Sequence, residues 1–273
     1  MRSFFFNTLF YGLTAVFAIA LAVLSFLPGR KPLMFGLNMY TRTMVKVMHW
    51  VAGIKVHISG LEHIPVDGPA IIAPKHQSYG DGIVLFSQFK DLSFVTGDHL
   101  EKFMTIKRIL RKAGAVVIDN CGGSDARDKL QENAMRVHAE GRKLLIYPEG
   151  HLSRIGTQHR YRKGVFFMYQ DFNCPVVPVA TNLGQRWNQN DWHKHKGEAH
   201  LEFLEPIQPG LEKDEFMREL ETRIEMRSRE LLDLEDLGHL NPDDIGKVSE
   251  NEVARAKRIE REAEENPEVE TNT

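Results

Sequence analysis

Cysteine is nearly absent from this 273-residue chain: Cys121 and Cys174 are the only two, and they share no C-x-x-C spacing. That excludes a disulfide framework and a zinc knuckle, and it fits reduced thiols in a domain facing the cytosol. Acidic residues are missing from the entire front of the chain. None precedes Glu62, whereas Arg2, Arg30, Lys31, Arg42, Lys46 and Lys55 all lie before it. The formal net charge of -2 therefore averages a basic, apolar front end with an acidic body. Such asymmetry points to a membrane surface and away from nucleic acid. Internal repeats and low-complexity tracts are also lacking. A mean hydropathy of -0.33 excludes a polytopic membrane protein, and 42% hydrophobic with 26% charged residues excludes a wholly disordered chain.

What is present begins with an uncharged stretch. No charge occurs from residue 3 to 29, and residues 8–27 (TLFYGLTAVFAIALAVLSFL) are a run of twenty that is almost entirely apolar. That length suits a helix crossing the ~30 Å of bilayer hydrocarbon. It exceeds a signal-peptide core, and Ser25-Phe26-Leu27-Pro28 offers no small-x-small cleavage site. Pro28-Gly29 would stop the helix, and Arg30-Lys31 would then face the cytoplasm. In residues 33–52 a polar stripe (Asn38, Arg42, Lys46, His49) opposes Met34, Leu37, Met44, Met48 and Val51, with Trp50 near the end. This predicts a helix lying at the headgroup boundary. The alternative is an ordinary amphipathic helix packed on a soluble core.

After Gly53 short apolar runs alternate with helical segments. Strands are predicted at 54–58, 70–73, 92–96, 115–118, 143–147, 176–180 and 200–204. Helices are predicted near 82–88, 100–112, 125–139, 165–172 and 212–234. The alternation predicts an α/β fold, a mixed and largely parallel sheet flanked by helices, with an N-terminal membrane-associated helical segment. Residues 1–53 form that segment, 54–235 the catalytic domain and 236–273 a charged C-terminal tail.

Chemistry-bearing residues gather where strands end, which is where ligands bind in open α/β sheets. Ala-Ile-Ile-Ala runs into Pro74-Lys75-His76-Gln77-Ser78-Tyr79-Gly80-Asp81. On one continuous helix His76 and Asp81 would point about 140° apart. They meet only if His76 lies in the preceding turn and Asp81 at the helix start, where Asp81 can also cap free N–H groups. A histidine held by a carboxylate is the base half of a triad, with a substrate hydroxyl free to act as nucleophile. Pro148-Glu149-Gly150-His151-Leu152-Ser153-Arg154 follows the next buried strand, and Arg160, Arg162 and Lys163 come after it. Cations beside a close-approach glycine suit a phosphate-bearing substrate.

Four ordered blocks, KHQSYGD, GAVVIDN, YPEGHLSR and VVPVA, resemble the glycerolipid acyltransferase family, which includes bacterial 1-acylglycerol-3-phosphate acyltransferases. In that family the blocks read N-H-x4-D, G-x-x-[FI]-I-D-R, [FY]-P-E-G-T-R-S and [VI]-[VI]-P-[VI]. The resemblance covers roughly residues 56–232. It implies O-acyl transfer from acyl-CoA or acyl carrier protein to a lysophospholipid hydroxyl, most simply that of 1-acylglycerol-3-phosphate, to give phosphatidate. His76 would be the general base and Asp81 its orienting carboxylate, with backbone N–H groups of the His76 turn holding the oxyanion. Asp119, Glu149, Gly150, Ser153, Arg154, Arg162 and Lys163 would bind substrate. No metal and no bound cofactor is implied, because the thioester is already activated. Three departures stand out. Lys75 replaces the usual Asn and is expected as a solvated loop lysine. Asn120 replaces Arg, and His151-Leu152 replaces Thr-Arg. The lost cations leave room for another lysophospholipid or a lyso-aminolipid as acceptor. A hydrolase using Ser78 or water lacks a G-x-S-x-G elbow, and a membrane scaffold would make the four blocks purely structural. Residues 185–197, with His193 and His195, are expected to be a polar surface loop.

Overall fold

Apolar residues on both sides of the pleat mark strands covered on two faces, and two such runs form the centre of the sheet. They are β2 (Ala70–Pro74) and β6 (Val176–Thr181), buried along their whole lengths. The computed structural model describes residues 1–102, 104–118, 124–189 and 191–239. The expectations for Asp119, Asn120 and Cys121, and for the tail beyond residue 239, fall outside them. The other strands are β1 (Ile54–Ser59), β3 (Leu92–Gly97), β4 (Val116–Ile118), β5 (Lys143–Leu145) and β7 (Gly197–Phe203). Their order in the sheet is β1-β7-β6-β2-β5-β3-β4. Every neighbouring pair is parallel except β6 with β7. The α/β fold with a mixed, largely parallel sheet is thus the one expected.

Each face of the sheet carries its own core. On one side Ile71, Ala73 and Leu144 meet α5 (Ser124–Ala139), α6 (Gly164–Phe172) and α7 (Lys213–Glu230), through Val137, Phe166, Phe216 and Ile224. On the other, Ile72, Leu145, Val177 and Val179 meet Val84 and Leu85 of α3 (Gly80–Gln88). Full burial of each of these aliphatic side chains contributes about 1.5–3 kcal/mol, so the two layers are the main source of stability. Strand β5 ends at Leu145 instead of continuing to Tyr147. The chain must turn there into Pro148, which fixes its own φ and donates no ladder bond.

The N-terminal region keeps the expected candidate membrane helix and adds contacts that the sequence does not predict. Its apolar run is α1 (Arg2–Leu24), a 23-residue helix that is long and apolar enough to cross a membrane. Its length is about 35 Å. Yet both ends are fastened to the same body. Near the start, Ser3 Oγ accepts from the Lys194 amide at 3.0 Å, and Asn7 donates to the Trp192 carbonyl at 3.0 Å. Phe6 and Phe10 pack edge-on against Trp187, with centroids 5.1 and 5.2 Å away. Just past the far end, Lys112 of α4 (Met104–Ala113) donates to the Leu27 carbonyl at 2.5 Å, and Arg108 lies 3.9 Å over the Phe26 ring. A helix held at both ends to one domain lies along that domain.

Helix α2 (Lys31–Val47), continued by one π-helical turn to Ala52, folds back beside α1, with Thr14 and Tyr40 hydroxyls 3.0 Å apart. The headgroup-boundary expectation for this helix is corrected. Met34, Met44 and Met48 are buried inside the protein. Asn38 donates to the Lys90 carbonyl and Arg42 to the Ser87 carbonyl, so part of the polar stripe docks on the end of α3. Exposed instead are Phe4, Phe5, Leu9, Val16, Ile19 and Val23 on α1, with Phe35 and Met39 of α2 and Trp50.

Candidate active site

Strand β2 ends at Pro74, and the chain then makes a turn before α3 starts at Gly80. This is the arrangement that brings His76 and Asp81 together despite their spacing. His76 Nδ1 lies 3.3 Å from Asp81 Oδ2. The same oxygen accepts from the Gln77 amide at 2.8 Å and the Ser78 amide at 2.7 Å. Asp81 is wholly buried, and the His76 side chain keeps 21% exposure. Contrary to the expectation from sequence, the carboxylate therefore does not cap α3. It folds back onto the turn that carries the histidine.

Two further expectations change here. The Gln77 and Ser78 amides are spent on Asp81, and the His76 amide points to Glu149 Oε1 at 3.4 Å. These three N–H groups are not open to an oxyanion. Ser78 is fully buried and its hydroxyl accepts from the Gly80 amide at 3.0 Å, which removes it as a hydrolytic nucleophile. The turn is also tightly backed. A Cβ on Gly184 would stand 2.7 Å from Gln77 Cβ, and one on Gly80 would stand 2.9 Å from the Trp187 ring.

Tyr147 supplies the floor. Its ring stacks on the His76 imidazole with centroids 3.8 Å apart and planes 20° from parallel. Burial, reinforced by the Asp81 charge, pushes its hydroxyl well above the usual phenol range, so it stays protonated. The stack fixes the plane of the imidazole while Asp81 fixes which nitrogen faces inward. Nε2 is left as the nitrogen facing out.

The next turn places the remaining expected residues at two depths. Gly150, at φ +71°, allows the chain to reverse after Glu149, a backbone region that non-glycine residues enter at a cost. Glu149 and Ser153 point inward and are buried. Ser153 donates from its amide to the His76 carbonyl at 2.7 Å and from its hydroxyl at 3.1 Å. Arg154, Arg162 and Lys163 are exposed. Arg162 crosses Gly150, its Nε 3.6 Å from where a Cβ would lie, and donates to His151 Nε2 at 3.1 Å. Partial burial and the nearby Arg162 charge lower the His151 pKa below the ordinary imidazole value. Lys163 stands at the N-terminus of α6. Glu149 and Ser153 thus brace the histidine turn, and the cations form an outer rim beside it.

Lys75 corrects the expectation of a solvated lysine most sharply, since its side chain is completely buried. The first part of residues 185–197 is corrected as well, while Trp192, His193 and Lys196 are exposed as expected. Gln185, Arg186, Trp187 and Asn188 are buried, and Asp191 holds both His195 (2.7 Å) and His193 (3.1 Å). No cluster with the makeup of a metal site occurs among the described residues. Cys174 is a free, buried thiol, pushed up to about 11 by burial.

The acyltransferase family profile matches residues 55–182, which span the histidine turn, the Gly150 turn and β6. The 1-acyl-sn-glycerol-3-phosphate acyltransferase of Pseudomonas aeruginosa is 30% identical over 196 residues, covering 70% of this chain and 76% of that protein. This chain belongs to the glycerolipid acyltransferase family. The human 1-acyl-sn-glycerol-3-phosphate acyltransferase alpha is 21% identical, over 61% of this chain and 59% of that protein. A chloroplast relative from Arabidopsis thaliana is 26% identical, over 62% and 48% respectively. The chain thus spans about half to three quarters of these relatives. The crystal structure of the 1-acyl-sn-glycerophosphate acyltransferase of Thermotoga maritima superposes with a TM-score of 0.70, covering 85% of this chain and 98% of that one at 20% identity. It shares the acyltransferase fold described above.

Proposed function

We propose that this acyltransferase moves a fatty acyl group from acyl-CoA or acyl carrier protein to the free hydroxyl of 1-acylglycerol-3-phosphate, giving phosphatidate. The observation that carries the reading is the outward-facing His76 imidazole, held by Asp81 at 3.3 Å and by the Tyr147 ring at 3.8 Å. His76 Nε2 takes the hydroxyl proton as the oxygen attacks the thioester carbonyl. The tetrahedral intermediate then collapses, the C–S bond breaks, and the imidazolium returns the proton to the departing thiolate. Asp81 stabilises the imidazolium between these steps. The ordered geometry supplies the usual advantage of a preset base.

Arg162, with Lys163 next to it in sequence and Arg154 on the same connection between β5 and α6, is the counterpart for the acceptor phosphate. The names of the relatives favour lysophosphatidate as that acceptor. A second reading keeps the chemistry but changes the headgroup, because His151-Leu152 stands where the family has Thr-Arg.

The site works at a bilayer. Trp187 touches Gly80 of the histidine turn on one side and Phe6 and Phe10 of α1 on the other. An apolar helix fastened to the domain at both ends suits insertion sideways into one leaflet, on the cytoplasmic side where the thioester donors are found. Purified protein in detergent, given labelled acyl-CoA and a panel of lysolipids, tests the acceptor. Labelled phosphatidate as the main product supports the first reading, and labelled product from another headgroup alone supports the second.

A further inference from the structure

Lys75 lies one residue before the catalytic base and faces away from it. Its Nζ donates to both carboxylate oxygens of Glu225, at 2.8 and 3.0 Å, to Glu149 Oε2 at 3.1 Å and to the Thr157 carbonyl at 2.8 Å. A buried ammonium so fully partnered is not surplus, since an unpaired charge at that depth is strongly destabilising. Glu225 belongs to α7, far from the four motif blocks in sequence. Its carboxylate also accepts from Tyr161 Oη at 2.9 Å.

Glu149 is the junction. Its Oε1 receives the His76 amide at 3.4 Å and the Ser153 hydroxyl at 3.4 Å, while Oε2 receives Lys75 and the His159 amide at 2.8 Å. One carboxylate therefore ties the backbone of the base to the loop that ends in Arg162 and Lys163. Lys75 reaches the same loop directly through Thr157. Two carboxylates facing one ammonium leave the cluster short of positive charge, and burial accordingly raises the Glu225 pKa even though Lys75 opposes the shift.

We propose that Lys75 and Glu225 are positioning residues for acyl transfer: their buried pair anchors the Glu149 junction to α7 and so sets His76 relative to the phosphate-binding loop. The pair recruits a helix outside the motif blocks to hold the site. It touches no reacting atom. The inference rests on the acyl-transfer reading above.

The K75M/E225Q double variant tests it, because removing one charge of each sign leaves the net local charge unchanged. Glu149 loses its ammonium partner but keeps the His76, Ser153 and His159 donors, so the melting temperature is expected to fall while the protein still folds. Turnover per folded molecule should fall about 10²-fold, as a displacement of the base by about 1 Å produces. Acceptor KM should stay within about threefold, because the exposed cations Arg154, Arg162 and Lys163 are untouched. A loss of folded protein alone would move neither value per folded molecule. Unchanged turnover in the folded double variant overturns the inference. If that protein does not fold, E225Q alone decides. It keeps hydrogen-bonding groups opposite both Lys75 and Tyr161, and wild-type turnover per folded molecule would overturn the inference equally. A wild-type protein inactive with every donor and acceptor overturns the acyl-transfer reading and this inference together. An active wild type with an equally active double variant overturns only the latter.

Discussion

The histidine turn and the Arg162 rim lie side by side but are built in opposite ways. In the turn a single oxygen, Asp81 Oδ2, has three donors around it, and Tyr147, Gly184 and Trp187 close off the space behind. In the rim, Arg154, Arg162 and Lys163 are exposed on a connection between elements. If His76 is the base and the rim meets the acceptor phosphate, as proposed above, the difference separates two tasks. The proton relay tolerates little displacement, so it is overdetermined. Recognition of a headgroup works through longer-range, charge-assisted contacts that an open loop can rearrange.

Substitutions can break this division, and the largest effect belongs to the turn. His76→Ala should lower turnover by as much as about 10⁴-fold at unchanged acceptor KM, measured with labelled acyl-CoA, since general acid–base catalysis contributes up to that factor. Asp81→Asn comes next. It should cost about 10²-fold or more in turnover and should also lower the melting temperature, because charge-assisted hydrogen bonds from two amides are lost. A rim variant should differ in kind. Arg162→Ala should raise the acceptor KM about tenfold and leave turnover at saturation within about threefold, as losing one charge-assisted phosphate contact predicts. If it lowered kcat as much as Asp81→Asn does, the rim and the turn would be one unit.

The smallest effect is a pH dependence. Folding lowers the His151 pKa, so its neutral form is favoured; the resulting stability is present above the unfolded imidazole value near 6.5 and is lost as pH falls through the lower folded value. Protonation also ends its role as acceptor for Arg162 and adds a cation to the rim. Acceptor KM should therefore fall modestly between about pH 7 and pH 5 in the wild type relative to His151→Gln. Parallel KM profiles for the two proteins would remove His151 from the rim.

The strands and the H-x4-D turn were legible in the sequence because their signals are local. Continuous aliphatic runs marked β2 and β6, and the spacing of His76 and Asp81 demanded the turn found before α3. What was not legible depends on partners distant in the chain. Lys75 reads as a loop lysine until Glu225, 150 positions later, lies beside it. The start of the run 185–197 reads as polar because its burial comes from α1 and from the chain just past α7, through Phe6 on Trp187 and Gln185 donating to the Asp233 and Asp236 carbonyls. In α2 the apolar period predicts the helix but not its partner, since periodicity alone does not say whether lipid or protein meets the apolar side. For α1, composition revealed a helix fit for a bilayer, and only the contacts at Ser3, Asn7 and Leu27 revealed that it lies along the domain.

The most direct test of the account is the conversion of lysophosphatidate and a labelled acyl thioester by purified wild-type protein and by His76→Ala in parallel. The account predicts labelled phosphatidate from the wild type and essentially none from the folded variant. Phosphatidate from both at equal rates, or free fatty acid as the only labelled product of the wild type, would contradict it.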